Sequence, residues 1–172
     1  MGSLYNGACL YTVPRFEAPH LLATLKDERI TVLQGVPAMY ARALEYLKRE
    51  QRALEAPALI YISAGGSPLD SDTKTRVEAA FGLTLHNGYG LTEASPTISQ
   101  TRIDDRHQNS TVGRVLPLLE YRLEPLGSHG TTENAGEEVG ELWVRGPNVM
   151  KGYFRQPEAT RATLTEDRWL NT

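Results

Sequence analysis

Residues Leu59–Glu93 read LIYISAGGSPLDSDTKTRVEAAFGLTLHNGYGLTE, and the order of their parts decides the fold. The apolar run Leu59–Ser63 ends in Gly65–Gly66–Ser67–Pro68. A helical pattern follows, with Leu69, Val77, Ala80 and Phe81 recurring on one face and Gly82 placed to stop it. A second apolar run, Leu83–Asn87, then ends in Gly88–Tyr89–Gly90. Strand, helix and strand in this order, with a connection too long for a hairpin, describe a crossover between parallel strands.

The same alternation extends upstream. Cys9–Val13 and Ile30–Val36 are further strand candidates. Leu21, Leu22 and Leu25 follow Ala18 at helical spacing, and Tyr40, Ala43, Leu44 and Leu47 repeat the pattern. The expectation is an α/β fold with a parallel β-α-β-α-β-α-β layer. After about Thr97 the period changes. Leu119, Tyr121 and Leu123 alternate with Glu120, Arg122 and Glu124, and Leu142 and Val144 with Glu141 and Arg145. Residues 1–97 therefore read as a parallel-sheet subdomain and 98–172 as a subdomain of antiparallel strands. The polar stretch Gly127–Gly136 reads as a solvent-facing loop, and Gln156–Leu164 as a last helix with Pro157 in its first turn.

Composition narrows the partners. The chain has 172 residues and a formal net charge of −3, without the basic stripe that nucleic-acid binding needs. No apolar run approaches the roughly 18 residues of a membrane span, and Met1–Asn6 has no secretory pattern. The single cysteine, Cys9, offers neither an internal disulfide nor a metal cluster. A cytoplasmic location is the expectation.

In a parallel sheet the two glycine turns lie at the carboxyl edge, where open α/β folds bind ligands. Glycine admits a base or a phosphate close to the backbone. Tyr89, between two glycines, presents a ring on which a purine can stack, worth ~1–3 kcal/mol by analogy with base stacking. The Thr92 hydroxyl can meet a phosphate oxygen, and the Glu93 carboxylate can hold Mg²⁺ against the same phosphates. Pro96 stops this turn from growing into a long helix. Each feature also has a plain structural reading. A strand-end Gly-x-Gly is usually only a turn, and a lone glutamate is usually a solvated surface group. Ser67 with Pro68 reads as the cap and first residue of the helix. His86 reads as a packed strand-end histidine, and His20, His107 and His129 lack metal-ligand spacing. Residue chemistry alone thus reaches an α/β protein with a ligand site at two strand ends.

Five motifs extend that reading. Asn87–Glu93 resembles the Y-G-x-T-E motif of the adenylate-forming superfamily, and Gly35–Tyr40 (GVPAMY) resembles its GVPxMY turn. Gly65–Leu69 (GGSPL) is similar to GGAPL, with Ser67 for the usual alanine. Val112–Pro117 (VGRVLP) is similar to VGRPLP, and Gly140–Tyr153 to GELxVRGPxVMxGY. Leu91, where peptide-synthetase domains usually have proline, points to acyl-CoA synthetases of the fatty-acyl or aryl-CoA ligase type. So does Arg168–Thr172, which is similar to the start of GWLxTGD.

The resemblance implies a central segment of the family's large N-terminal domain, a parallel layer beside a distorted antiparallel barrel. It implies that Ser67, Asn87 and Gly88 border the adenine of ATP or AMP and that Tyr89, flanked by Gly90, stacks on it. Thr92 would contact the α-phosphate and Glu93 would bind Mg²⁺, making these two the catalytic pair. Gly65, Gly66, Gly88, Pro96 and Thr97 would lie nearest the acyl group, and Gly140–Tyr153 would be scaffold without chemistry. The implied reaction joins a carboxylic acid to ATP, giving acyl-AMP and pyrophosphate, and then forms a thioester with CoA. No Ser/Thr/Gly-rich loop ending in Pro-Lys-Gly occurs in these residues, and the family pattern would continue with Gly-Asp after Thr172. The isolated chain is accordingly expected to be inactive. The rival enzymatic reading is a serine hydrolase using Ser67, though a nucleophile elbow needs glycine where Leu69 stands. The non-enzymatic rival is a nucleotide-binding or interaction module.

Overall fold

A computed structural model describes residues 5–104, 109–125 and 139–172. Helix α1 (Ala18–Asp27) leads into strand β1 (Val32–Gly35), helix α2 (Pro37–Arg49) and strand β2 (Tyr61–Ala64). Helix α3 (Ser71–Phe81) and strand β3 (Leu85–Gly90) complete the crossover layer. A 3-10 turn (Thr92–Ala94) then links β3 to β4 (Thr97–Gln100) and the short β5 (Arg114–Val115). A second sheet consists of β6 (Glu120–Pro125), β7 (Gly140–Arg145) and β8 (Leu170–Asn171), with helix α4 (Pro157–Thr163) between the last two.

The first sheet has the order β1-β2-β3-β4-β5. Strands β1, β2 and β3 are parallel and in step, so that Gly35, Ala64 and Asn87 align across the carboxyl edge. Strand β3 then pairs antiparallel with β4, and β4 with β5. The sheet therefore runs on past Thr97, and β3 carries a parallel neighbour on one side and an antiparallel neighbour on the other.

Two predicted features need correction. Cys9–Val13 forms no strand; Leu10, Tyr11 and Val13 are 58%, 45% and 42% exposed. An apolar run with no neighbouring strand to pair with cannot hold a ladder alone. The parallel layer accordingly has three strands, not four. Helix α3 is also not capped by Ser67. It starts at Ser71, and the Asp70 carboxylate accepts the Thr73 N–H at 2.7 Å as its cap. Leu69 is buried in the core, so the chain first descends from the glycine turn and only then enters the helix. The Gly127–Gly136 loop, His107 and His129 lie outside the described residues. The predicted start of the last helix is met, with Pro157 in the first turn of α4.

One core joins the helices to the parallel strands through Leu25, Leu33, Tyr40, Ile62, Val77 and Leu85. Tyr40 lies in its centre, 1% exposed, with its hydroxyl 2.8 Å from the Ser63 carbonyl and 3.1 Å from that of Leu33. Burial pushes the phenol well above the ordinary tyrosine range. A second core, including Ala94, Ile98, Val144, Val149 and Leu170, ties the turn after β3 to the second sheet.

Candidate functional site

The ends of β1, β2 and β3 bring three turns together. The Gly65 N–H donates to the Gly35 carbonyl at 3.2 Å. A side-chain carbon placed on Gly65 would lie 3.9 Å from the Gly88 carbonyl oxygen, and one on Gly66 would lie 3.6 Å from Val36. The predicted adenine-side and acyl-side residues Ser67, Gly65, Gly66 and Gly88 thus share one edge. Gly66 has φ +78°, a conformation that disfavours other residues. Gly66, Ser67, Gly90, Thr92 and Pro96 are exposed there, and Gly65, Gly88, Glu93 and Thr97 half-buried.

Gly90 is where two backbones touch. The register of β3 and β4 shifts between Tyr89 and Gly90. A side-chain carbon on Gly90 would run into the Pro96 carbonyl oxygen, to which the Leu91 N–H donates at 2.8 Å. Glycine is required by this close approach. Next to this contact Thr92–Ala94 forms a single 3-10 turn, which Ser95 ends in the left-handed conformation.

Two site residues differ in setting from what their neighbours in sequence suggest. Tyr89 is half-buried and packs against the second core, so its ring is backed by protein and does not stand free. Asn87 is 3% exposed, and its side-chain amide donates to the Ser110 and Thr111 carbonyls at 3.0 and 3.2 Å. Its Oδ1 accepts the Gly88 N–H at 3.0 Å. The Asn87 side chain therefore braces the 110–111 backbone against β3. His86 is buried as predicted, stacked on Tyr61 at 4.8 Å. Burial, helped by the nearby Lys74 charge, lowers its pKa.

Sequence reasoning missed the support of Glu93. The Tyr153 hydroxyl donates to Glu93 Oε1 at 2.7 Å, across 60 positions of sequence. The Met150 N–H donates to the Glu93 carbonyl at 2.7 Å. Asn148 Nδ2 reaches the Ala94 and Thr97 carbonyls at 2.6 and 3.1 Å. The Tyr153 hydrogen bond, with Glu93's own backbone N–H, holds this carboxyl below the usual glutamate range, and the same bond raises the Tyr153 phenol. The Gly140–Tyr153 motif is thus built into the turn that carries Thr92 and Glu93. The available signal was the motif's length, running beyond β7 to a tyrosine that no strand period requires.

Among the described residues no group of three or more His, Cys, Asp or Glu could hold a metal ion alone. A divalent cation at Glu93 would take its other ligands from a bound phosphate and water, which suits Mg²⁺ and its habit of sharing phosphate oxygens. Ser67 does not sit on a nucleophile elbow, because three residues, Pro68, Leu69 and Asp70, separate it from the start of α3.

One sheet edge thus gathers two apposed glycine turns and, on the turn after β3, a hydroxyl–carboxylate pair. The chain belongs to the AMP-binding enzyme family, whose model matches residues 1–154. It is 34% identical over 163 residues to a long-chain-fatty-acid–CoA ligase of Yersinia pestis, covering 95% of this chain and 28% of that protein. A benzoate CoA ligase from Burkholderia xenovorans superposes with a TM-score of 0.82 at 29% identity, covering 99% of this chain and 34% of that one. A malonyl-CoA ligase with methylmalonyl-CoA and AMP bound gives 0.80 at 33% identity, covering 99% and 36%. The chain spans about a third of the length of the relatives it matches. The α/β fold class, a parallel-stranded sheet joined to an antiparallel one, is that of these CoA ligases.

Proposed function

We propose that this chain forms the adenine-, phosphate- and metal-facing wall of an AMP-forming acyl-CoA synthetase. The supporting observation is the junction of the two glycine turns with the 3-10 turn bearing Thr92 and Glu93. In this reading Ser67, Asn87 and Gly88 border the adenine by their backbone, and Tyr89 with Gly90 flanks its ring. Thr92 donates its hydroxyl to the α-phosphate, and Glu93 holds Mg²⁺. Gly65, Gly66, Gly88, Pro96 and Thr97 face the acyl group. The cation, when bound, neutralises charge on the phosphate oxygens.

The reaction follows from that wall. A substrate carboxylate oxygen bonds to the α-phosphorus of ATP, the bond to the bridging oxygen breaks, and pyrophosphate leaves. The thiol of CoA then adds to the acyl carbonyl and AMP leaves with the carboxylate oxygen. The protein contributes positioning and charge stabilisation, which are what phosphoryl chemistry needs. Residues 1–97 serve as the nucleotide-binding layer and 98–172 as the barrel-like layer behind it, in a protein of the cytoplasm. The 172 residues by themselves lack groups that the reaction needs, including a phosphate-gripping glycine loop with its lysine.

The test is a pyrophosphate-release screen of the intact protein carrying this chain, over acids of graded length and aromaticity, with the 172-residue chain run beside it. Release that requires an acid and ATP, and is absent from the 172-residue chain, is expected. No acid-dependent release from the intact protein overturns the enzymatic reading.

A further inference from the structure

Glu93 is the only carboxylate on the 3-10 turn, and a half-buried carboxylate without a partner ordinarily samples several rotamers. Here it does not stand alone. The Tyr153 hydroxyl donates to one of its oxygens, Oε1, at 2.7 Å. The segment that carries Tyr153 is itself held at several points. The Met150 N–H donates to the Glu93 carbonyl at 2.7 Å, so side chain and backbone of the same residue are gripped by one strap. The Arg168 guanidinium donates to the Met150 carbonyl at 2.7 Å and to that of Lys151 at 3.3 Å. The Tyr153 N–H donates to Thr160 Oγ1 at 2.9 Å, anchoring the strap's end on α4.

From this geometry we infer that Tyr153 is a positioning residue for metal binding, fixing the Glu93 carboxylate so that its second oxygen faces the cation shared with the nucleotide's phosphates. The inference rests on the metal role proposed for Glu93. Two effects oppose each other. A hydrogen bond on Oε1 withdraws electron density and weakens the carboxylate as a donor. It also removes the rotamer freedom that a long side chain would otherwise lose when the metal binds. Outer partners of metal ligands generally act in the second sense, and their loss lowers affinity by about 10-fold to 100-fold. The Tyr153 bond is single and half-exposed, which places it at the low end of that range.

The experiment measures Mn²⁺ affinity by electron paramagnetic resonance, on the intact protein saturated with a non-hydrolysable ATP analogue. Tyr153→Phe is expected to weaken Mn²⁺ binding about tenfold, with the Michaelis constant for metal rising more than kcat falls. Glu93→Ala is expected to weaken binding further, and the double variant to be no worse than Glu93→Ala alone. Thr160→Val, which removes the anchor of the Tyr153 N–H and leaves ring and carboxylate intact, is expected to weaken binding in the same direction. It serves as the second variant should Tyr153→Phe fold poorly. Wild-type Mn²⁺ affinity in folded Tyr153→Phe, or in Thr160→Val if only that variant folds, overturns the positioning role when Glu93→Ala is impaired. Additive losses in the double variant overturn it as well. Wild-type affinity in Glu93→Ala instead overturns the metal role on which it rests.

Discussion

The Glu93–Tyr153 hydrogen bond has a pH signature whose sign can be worked out residue by residue. The bond depresses the Glu93 pKa, so its contribution to stability is present above the ordinary glutamate value and is lost as pH falls through the depressed one. It raises the Tyr153 pKa, so that side's contribution is full below the ordinary tyrosine value and is lost as pH rises through the raised one. The pair is therefore intact at neutral pH. A carbon-13 NMR titration of the Glu93 carboxyl should show a pKa below the usual range in wild type, returning towards it in Tyr153→Phe. An unchanged titration in the variant would assign the depression to the backbone N–H alone. At this scale Thr92 and Glu93 were legible because their spacing from Gly88 and Gly90 is local. The role of Tyr153 was not, because its partner lies 60 positions away and no periodicity relates a strand end to a distant turn.

Among the elements, β3 sets the site. Its first half, Leu85–Asn87, pairs parallel with β2, its second half, Gly88–Gly90, pairs antiparallel with β4, and the register of that second ladder shifts between Tyr89 and Gly90. Gly90→Ala forces a methyl group into the Pro96 carbonyl and is expected to destabilise the fold by ~1–3 kcal/mol or more, as overpacking does. Gly65→Ala meets nothing nearer than 3.9 Å and is expected to change stability by less than about 0.5 kcal/mol. Urea denaturation of the two variants checks this pair, and equal losses would contradict it. The first three helices were readable because each repeats apolar residues at helical spacing, and the three parallel strands because each stands out as a short apolar run between them. Cys9–Val13 misled because an apolar run states a wish for burial and not the presence of a neighbour. The cap of α3 was misplaced because Ser67–Pro68 and Asp70–Ser71 are both good helix starts in sequence, and the burial of Leu69 decides between them. The short strands β4, β5 and β8 span only two to four residues, too few for a period to show.

Over the whole molecule, two cores meet at one sheet. The first supports the parallel strands from the helix side, and the second fastens the Thr92–Ala94 turn to the antiparallel sheet. The division near Thr97 in the sequence pattern corresponds to where the strands change direction, although the first sheet continues through it to β5. The strap between β7 and α4 in turn reaches the turn after β3 through the Met150 and Tyr153 hydrogen bonds to Glu93. Family membership was legible from five short motifs in order, whereas their physical cooperation needed the fold. In the proposed function the Gly88–Glu93 turn faces the phosphates and metal of ATP during adenylation. Acid-dependent ATP–pyrophosphate exchange by the intact protein, wild type against Glu93→Ala, tests it most directly. A loss of about 100-fold or more is expected, the scale of removing one group that stabilises transition-state charge; exchange within about twofold of wild type, on the same rate scale, would remove Glu93 from the reaction.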